Sequence, residues 1–331
     1  MSNESSTPVR APPPGDGLVL AHLSDPHLTG LYGIGLRDLL GKRLLGYLSW
    51  RQHRRHAHRR EVLDALITDL HQIGPDHTVI TGDLTHIGLA REFREVAAWL
   101  PEVGGPADVF VVPGNHDAYA AEPWSRTFAL WEPYLAGDDT HGPAPANARP
   151  PTYPRVRLRR GVALVAVNTA RPSAPFLAVG SLGQDQLQAL ATVLRDTGAR
   201  ALCRVLLIHH PTVPGTIRWR KRLTDARALA AVIDQAGVEL VLHGHAHRDS
   251  RAWLSTPAGA APVIGVRSAS EPGTRPLRRA RYHVLRLSRG PAGWRLRLAV
   301  REYAPETGRF TQVEELSPAL PQPANETPTS D

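Results

Sequence analysis

The chain has 331 residues, 42% of them apolar and 21% charged. That balance suits a soluble globular protein with a full core and excludes a disordered polymer, a collagen-like repeat and a disulfide-stapled miniprotein. Its one cysteine, Cys203, allows no intrachain disulfide, and the formal charge of +8 favours anionic partners such as nucleic acid, phosphorylated metabolites or lipid headgroups. Only Lys42 and Lys221 among the 39 basic residues are lysines, so part of the arginine excess reads as coding bias. The first residues show no basic-then-apolar leader, and no run of eighteen apolar residues occurs, so a cytoplasmic protein is expected.

In chain order, residues 1–17 are rich in proline and serine and predict a disordered tail. A strand is expected at 18–23. Val62, Leu63, Leu66, Ile67 and Leu70 recur at helical spacing and predict a helix over 60–73. Strand 78–81, helix 90–100, strand 109–112, strand 162–167, helix 184–195, strand 204–208, helix 226–236 and strand 239–242 follow. Residues 281–302 predict a hairpin about Gly290-Pro291. Residues 315–331 predict a second tail, leaving one domain over 18–305. The alternation of strands and helices predicts an α/β fold, whose ligand sites lie beyond the carboxyl ends of the strands.

Five predicted strand ends carry the residues that chemistry needs. They are Asp25-Pro26-His27, Gly82-Asp83, Gly114-Asn115-His116-Asp117, His209-His210-Pro211 and Gly244-His245-Ala246-His247. Carboxylate, imidazole and amide oxygen, without thiolate, suit Mn, Fe, Zn or Mg. A turn with a capping aspartate would account for Asp25 alone but not for the other four. Elsewhere the plain reading holds: His22, His77, His86 and His243 as packed or surface residues, Thr85 as a turn hydroxyl, and Cys203 as core.

This set resembles the calcineurin-like metallophosphoesterase family, whose pattern D-x-H, G-D, G-N-H-[DE], H, G-H-x-H is met in full. The resemblance implies a two-layer mixed β sandwich flanked by helices, with a dinuclear centre at one edge. It implies that Asp25, His27 and His247 hold one divalent ion, that Asn115, His209 and His245 hold the other, and that Asp83 bridges them. A bridging hydroxide would then attack phosphorus, and His116 would act on the leaving group without binding metal. Asp117 and His210 are expected in supporting places, Asp117 orienting His116 or a neighbouring ligand. Thr212 stands where the family often has a second proline, which alters the loop. Metal-free scaffolds exist on this fold, but here the whole ligand set is intact.

Residues 31–60 form a basic insertion, with eight basic residues between Gly30 and Arg60 against one acid, Asp38. Leu36, Leu39, Leu40, Leu44, Tyr47, Leu48 and Trp50 fall on one side of a helical wheel, with Arg43 among them and Lys42 outside. That pattern fits either a helix lying on an anionic membrane or a stripe packed on the domain. His53, His56 and His58 read as surface residues. The run from Lys42 to Tyr47 is similar to an insertion in enzymes that cleave the pyrophosphate of UDP-diacylglucosamine, which implies a lipid-linked substrate and peripheral contact with the inner face of a membrane. The motif set, especially Gly114-Asn115-His116-Asp117, is also similar to cyclic-nucleotide phosphodiesterases, the runner-up, against which the leucine-rich basic insertion counts. A nuclease is disfavoured, because few aromatic residues interleave with the arginines. A membrane-tethered scaffold is the alternative of another class. Arg218, Arg220, Lys221 and Arg222 either reach substrate phosphate or form a solvated loop.

Overall fold

The computed structural model describes residues 17–28, 30–55, 57–138, 152–273 and 278–322. His56, the side chain of His53, residues 1–16 of the predicted N-terminal tail and residues 323–331 of the C-terminal one lie outside the described residues. The first sheet contains β1 (Gly17–Leu23), β2 (His77–Ile80), β3 (Val109–Val111) and three later strands, β10 (Arg281–Gly290), β11 (Gly293–Ala304) and β12 (Arg309–Leu316). Its order is β12-β11-β10-β1-β2-β3, with β1, β2 and β3 parallel and the rest antiparallel. The second sheet is built from β4 (Arg155–Arg159), β5 (Val162–Ala166), β6 (Cys203–Leu207), β7 (Leu240–His243), β8 (Ser250–Thr256) and β9 (Gly259–Gly265). It runs β4-β5-β6-β7-β9-β8 and is parallel from β5 to β9.

Strand alternation explains the layers. Leu18 and Leu20 of β1 meet Leu164, Val205, Leu207, Leu240 and Leu242 between the sheets, whereas Ala21 and Leu23 turn outward. On that outer face lie α2 (Arg60–Ile73) and α3 (Ala90–Val103), with Val62, Leu66, Leu70, Phe93, Val96 and Leu100 buried. On the outer face of the second sheet lie α4 (Gln184–Ala199) and α5 (Ala226–Ala236). The central strands β5, β6 and β7 are covered on both faces and buried without interruption, which is why they are apolar but for Arg204 and His243. Each fully buried Leu, Ile or Val contributes about 1.5–3 kcal/mol. Cys203 lies in the inter-sheet core, where burial pushes its thiol up, so it is a packing residue.

The C-terminal limit expected at residue 305 is too short. β12 extends the first sheet to Leu316, Leu320 is buried in the inter-sheet core, and the Gln322 side chain donates to the Trp294 carbonyl at 2.9 Å. Apolar residues spaced among prolines close the edge of the sandwich there.

The insertion is not a single amphipathic helix. Leu36–Leu39 form a 3-10 turn, α1 spans Lys42–Ser49, and Trp50–Arg54 form a π turn. Gly41 between the first two has φ +66°, which breaks the phase of the wheel. The apolar set therefore divides. Leu39, Trp50 and the half-buried Tyr47 pack with Leu31, Ile87 and Leu89, while Leu40, Leu44 and Leu48, with Leu45 from outside the set, stay exposed; the Leu36 side chain lies outside the described residues. Arg43 is an anchor: it pairs with Glu122 at 2.7 Å and donates to the Ile87 and Gly88 carbonyls. Gly46 is needed for contact, since a Cβ there would lie 2.7 Å from the Tyr119 hydroxyl. Among the described residues no helix is long and apolar enough to cross a membrane.

Two buried histidines away from the strand-end motifs carry a pH prediction. Burial, then Arg157 and Arg159, push His77 down to about 3; burial, then Arg281 and Arg251, do the same to His283. The unfolded chain titrates these groups near the ordinary value of about 6.5, so it binds more protons than the folded one below that pH. Their contribution to stability is therefore complete above about pH 6.5 and is lost as pH falls toward 3. The urea midpoint of the chelator-treated protein should fall steadily from pH 7 to pH 4. His77→Gln with His283→Gln should flatten that slope, and an unchanged slope would assign the acid sensitivity elsewhere.

Candidate metal centre

The motif residues converge because the parallel strands all end on one side. β1 delivers Asp25 and His27, β2 Asp83, β3 Asn115 and His116, β6 His209 and His210, and β7 His245 and His247. The loops are laced to one another by two backbone bonds, Asp25 N–H to the Gly82 carbonyl and His27 N–H to the Asp83 carbonyl, and by His245 N–H donating to the Asp25 side chain at Oδ2, 2.9 Å. Gly114 sits so close to Asp83 that a Cβ there would strike its carboxylate. Asp25, His27, Asp83, His245 and His247 all have φ between +41° and +68°. Left-handed backbone at a residue with a side chain costs on the order of 1–3 kcal/mol and persists only where the surroundings hold it. The fold spends stability at this point to aim side chains.

Hydrogen bonds set the tautomer of each imidazole. Nδ1–H donates to the Thr85 carbonyl from His27 (2.8 Å), to the Thr81 carbonyl from His209 (2.6 Å), and to Glu271 Oε1 from His247 (2.9 Å). Each leaves Nε2 with its lone pair facing inward. His245 is reversed: Nε2–H donates to the Lys221 carbonyl at 3.0 Å, leaving Nδ1. Inside the centre, His27 Nε2 and His247 Nε2 are 3.3 Å apart, and His247 Nε2 is 3.1 Å from Asp25 Oδ1. His209 Nε2 is 3.3 Å from Asp83 Oδ2 and 3.1 Å from Asn115 Oδ1. One ligand atom each of Asp83, His209 and His245 lies within 4.8 Å of the others, and the same holds for His27, Asp83 and His116. Lone pairs that face each other at such distances fit cations, and the mix of carboxylate, amide and imidazole suits divalent ions of intermediate hardness.

Electrostatics agree. Burial disfavours charge on His209 and His247, yet the carboxylates of Asp83 and Asp25 outweigh it and push both imidazoles up to about 9. Asp25, despite burial, is held well below the usual carboxylate range by His247, His209 and His27. The centre is thus a place where positive charge is drawn in.

The supporting residues resolve into distinct jobs. Asp117 Oδ2 accepts the N–H groups of Asp83 and Gly114, and Oδ1 those of Leu84 and Thr85 together with the Thr85 hydroxyl. It ties the Asp83 loop to the Gly114 loop and does not hold the His116 ring. Burial, then Asp83, push its carboxyl up to about 7, against the pull of those donors. His116 donates Nδ1–H to the His86 carbonyl, and its backbone N–H donates to Asp83 Oδ1 at 2.7 Å. His210 faces away from the lone pairs: Thr169 donates to its Nδ1 at 2.7 Å, and Nε2–H donates to the Ala178 carbonyl at 3.3 Å. Its ring packs against those of His209 and His245.

Three contributors carry no motif. Glu271, which holds His247, stands alone in a Ser-Glu-Pro context. His86 supplies its carbonyl to His116 and stacks on His27 at 5.1 Å. His58, read from sequence as a surface residue, is half-buried with its ring 4.6 Å from that of His27. The run Arg218, Arg220, Lys221 and Arg222 has exposed side chains, and its part in the centre is the Lys221 carbonyl.

A mixed two-sheet sandwich thus carries, at the ends of its parallel strands, a histidine–carboxylate centre suited to divalent ions. The chain belongs to the calcineurin-like phosphoesterase family, whose model matches residues 18–249. A protein of Vesicomyosocius okutanii named "probable cyclic nucleotide phosphodiesterase" is 26% identical over 191 residues, 56% of this chain and 68% of that protein. One of Synechococcus with the same description is 26% identical over 187 residues, 56% of this chain and 62% of that protein. A dimetal phosphatase from Danio rerio shares the fold, with a TM-score of 0.57 at 16% identity, covering 91% of this chain and 98% of that one.

Proposed function

We propose that the chain hydrolyses the phosphodiester of a small anionic molecule, a cyclic nucleotide foremost, at a centre of two divalent ions. The carrying observation is the ring of tautomer-fixed imidazole lone pairs around Asp83, with His116 at its rim. Asp25, His27 and His247 would hold one ion, Asn115, His209 and His245 the other, and Asp83 both. When bound, such a pair of ions supplies an activated water and offsets charge on the phosphoryl oxygens. His116 has Nδ1–H engaged by the His86 carbonyl, so Nε2 is the ring atom that would pass a proton to the departing oxygen. Its backbone N–H on Asp83 Oδ1 keeps that donor at a fixed place beside the shared carboxylate. The diester class rests on the two relatives named as cyclic nucleotide phosphodiesterases.

A second reading, a lipid-linked diphosphate at an anionic membrane surface, is favoured by one observation. The leucines of the insertion that miss the core, Leu40, Leu44, Leu45 and Leu48, lie exposed on or beside α1, and Arg51 and Arg55 beyond it are exposed too. Against it, the residues that suggested such a substrate have work inside the domain. Lys42 Nζ donates to Ser173 Oγ at 2.8 Å, Arg43 pairs with Glu122, and Gly46 touches Tyr119.

The test compares cyclic AMP, bis-p-nitrophenyl phosphate and a UDP-diacylglucosamine with Mn²⁺, with and without anionic liposomes. Turnover of cyclic AMP indifferent to liposomes is expected; turnover of the lipid alone, raised by liposomes, would replace the first reading with the second. In the same assay His116→Ala should lower kcat by about 10²–10⁴-fold with the metal content intact. Full kcat would remove His116 from the reaction.

A further inference from the structure

The inserted segment ends on residues that also support the metal centre. Arg59 N–H donates to the Ser270 carbonyl at 3.0 Å, and His58 Nδ1 and Ser270 Oγ are 2.7 Å apart. The stretch 268–271 that receives them is the one that fixes the candidate ligands of one ion. Ser268 Oγ donates to the Asp25 carbonyl at 2.7 Å, Ala269 N–H donates to the Ser24 carbonyl at 2.9 Å, and Glu271 accepts from His247. Asp25, His247 and His58 are therefore fastened to one bracket. One ring nitrogen each of His27, His58 and His247 lies within 4.8 Å of the other two.

His58 is held at its ring as the other imidazoles are: Nδ1 lies 2.7 Å from the Ser270 hydroxyl, where Nδ1 of His27, His209 and His247 meets a carbonyl or carboxylate. The ring stands 4.6 Å from that of His27 and 5.8 Å from that of His247.

We propose that His58 is an additional metal ligand, a nitrogen donor from the basic insertion to the ion flanked by His27 and His247, so that loading the centre fastens the insertion over it. The proposal rests on the two-ion reading above. It goes beyond that reading because the donor comes from outside the five strand-end motifs. It also gives the insertion a role that depends on metal rather than on lipid.

The test uses the intact chain and needs no substrate. Co²⁺ is titrated by calorimetry and by its visible absorption, and trypsin cleavage at the exposed Arg51 and Arg55 is timed with and without the ion. Wild type should bind two ions and gain protection of that segment on loading. His58→Ala should weaken one of the two sites on the order of 10–100-fold or more, change the absorption of that site and lose the protection. Ser270→Ala, which keeps the imidazole but removes its anchor, should show a smaller loss at the same site and serves if His58→Ala folds poorly. Two sites of wild-type affinity and spectrum in both variants would overturn the role of His58, including the case in which it meets substrate instead. A wild-type chain that binds no ion would overturn the two-ion reading itself.

Discussion

Asp83→Asn should lower kcat/KM for bis-p-nitrophenyl phosphate by about 10³-fold or more, the equivalent of several kcal/mol of lost charge stabilisation. The substitution preserves shape. Its Oδ1 can still accept the His116 N–H that now lies 2.7 Å from the carboxylate, so the Gly114 loop keeps its place. What disappears is the negative charge shared by the two halves of the centre. Asp83 Oδ2 is 3.3 Å from His209 Nε2 and 4.0 Å from His27 Nε2, so it reaches an imidazole of each set. Against burial, that charge and its hydrogen bond, together with Asp25 and the Thr81 carbonyl, push His209 up to about 9. Metal analysis of the variant should find fewer than two ions per chain. Full activity with two ions bound would place the reaction centre elsewhere.

The parts of this molecule that are legible in its sequence are those whose cause is local. The stripe of Val62, Leu63, Leu66, Ile67 and Leu70 marks α2, and Gly74 marks its end by stopping it in left-handed backbone. The strand-end motifs are legible because glycine, carboxylate and imidazole in tight succession after an apolar strand have little structural use besides holding metal. β4, with the sequence RVRLR, is not, since alternating arginines resemble a solvated loop. Arg157 is in fact buried and donates to the carbonyls of Ala136, Pro106, Val109 and Pro133, partners far off in the chain. β8 and β9 escape a reading of the sequence because Ser, Ala and Gly carry weak strand preference and gain it only by pairing in the second sheet. The insertion reads falsely as one stripe because a helical wheel assumes continuous phase, which the 3-10 turn, Gly41 and the π turn interrupt. His58 is illegible for a deeper reason. It sits amid arginines and histidines that carry no pattern, and only the bracket at 268–271, more than two hundred residues away, brings it to His27 and His247.

Asp117→Asn should destabilise the chain by about 3–5 kcal/mol, although it changes one atom. Five donors converge on the two carboxylate oxygens: N–H of Asp83 and Gly114 on Oδ2, and N–H of Leu84 and Thr85 with the Thr85 hydroxyl on Oδ1. An amide in either orientation turns two of its own N–H groups against at least two of those donors, and each buried group left unpaired costs about 1–3 kcal/mol. The rotatable Thr85 hydroxyl can turn to the His116 carbonyl, where it already has a 3.0 Å contact, so the loss falls on the backbone N–H groups. Those groups belong to the two loops that carry Asp83 and Asn115, and a displacement of about 1 Å at such a site costs roughly 10²-fold in rate. The melting temperature should fall by roughly 5–10 °C, and the loss of metal affinity should include the site framed by Asp83, Asn115 and His209. A local role confined to His116 would lower kcat while leaving both melting temperature and metal binding at wild-type values. That outcome would contradict the bonds Asp117 makes, because none of them reaches the His116 ring.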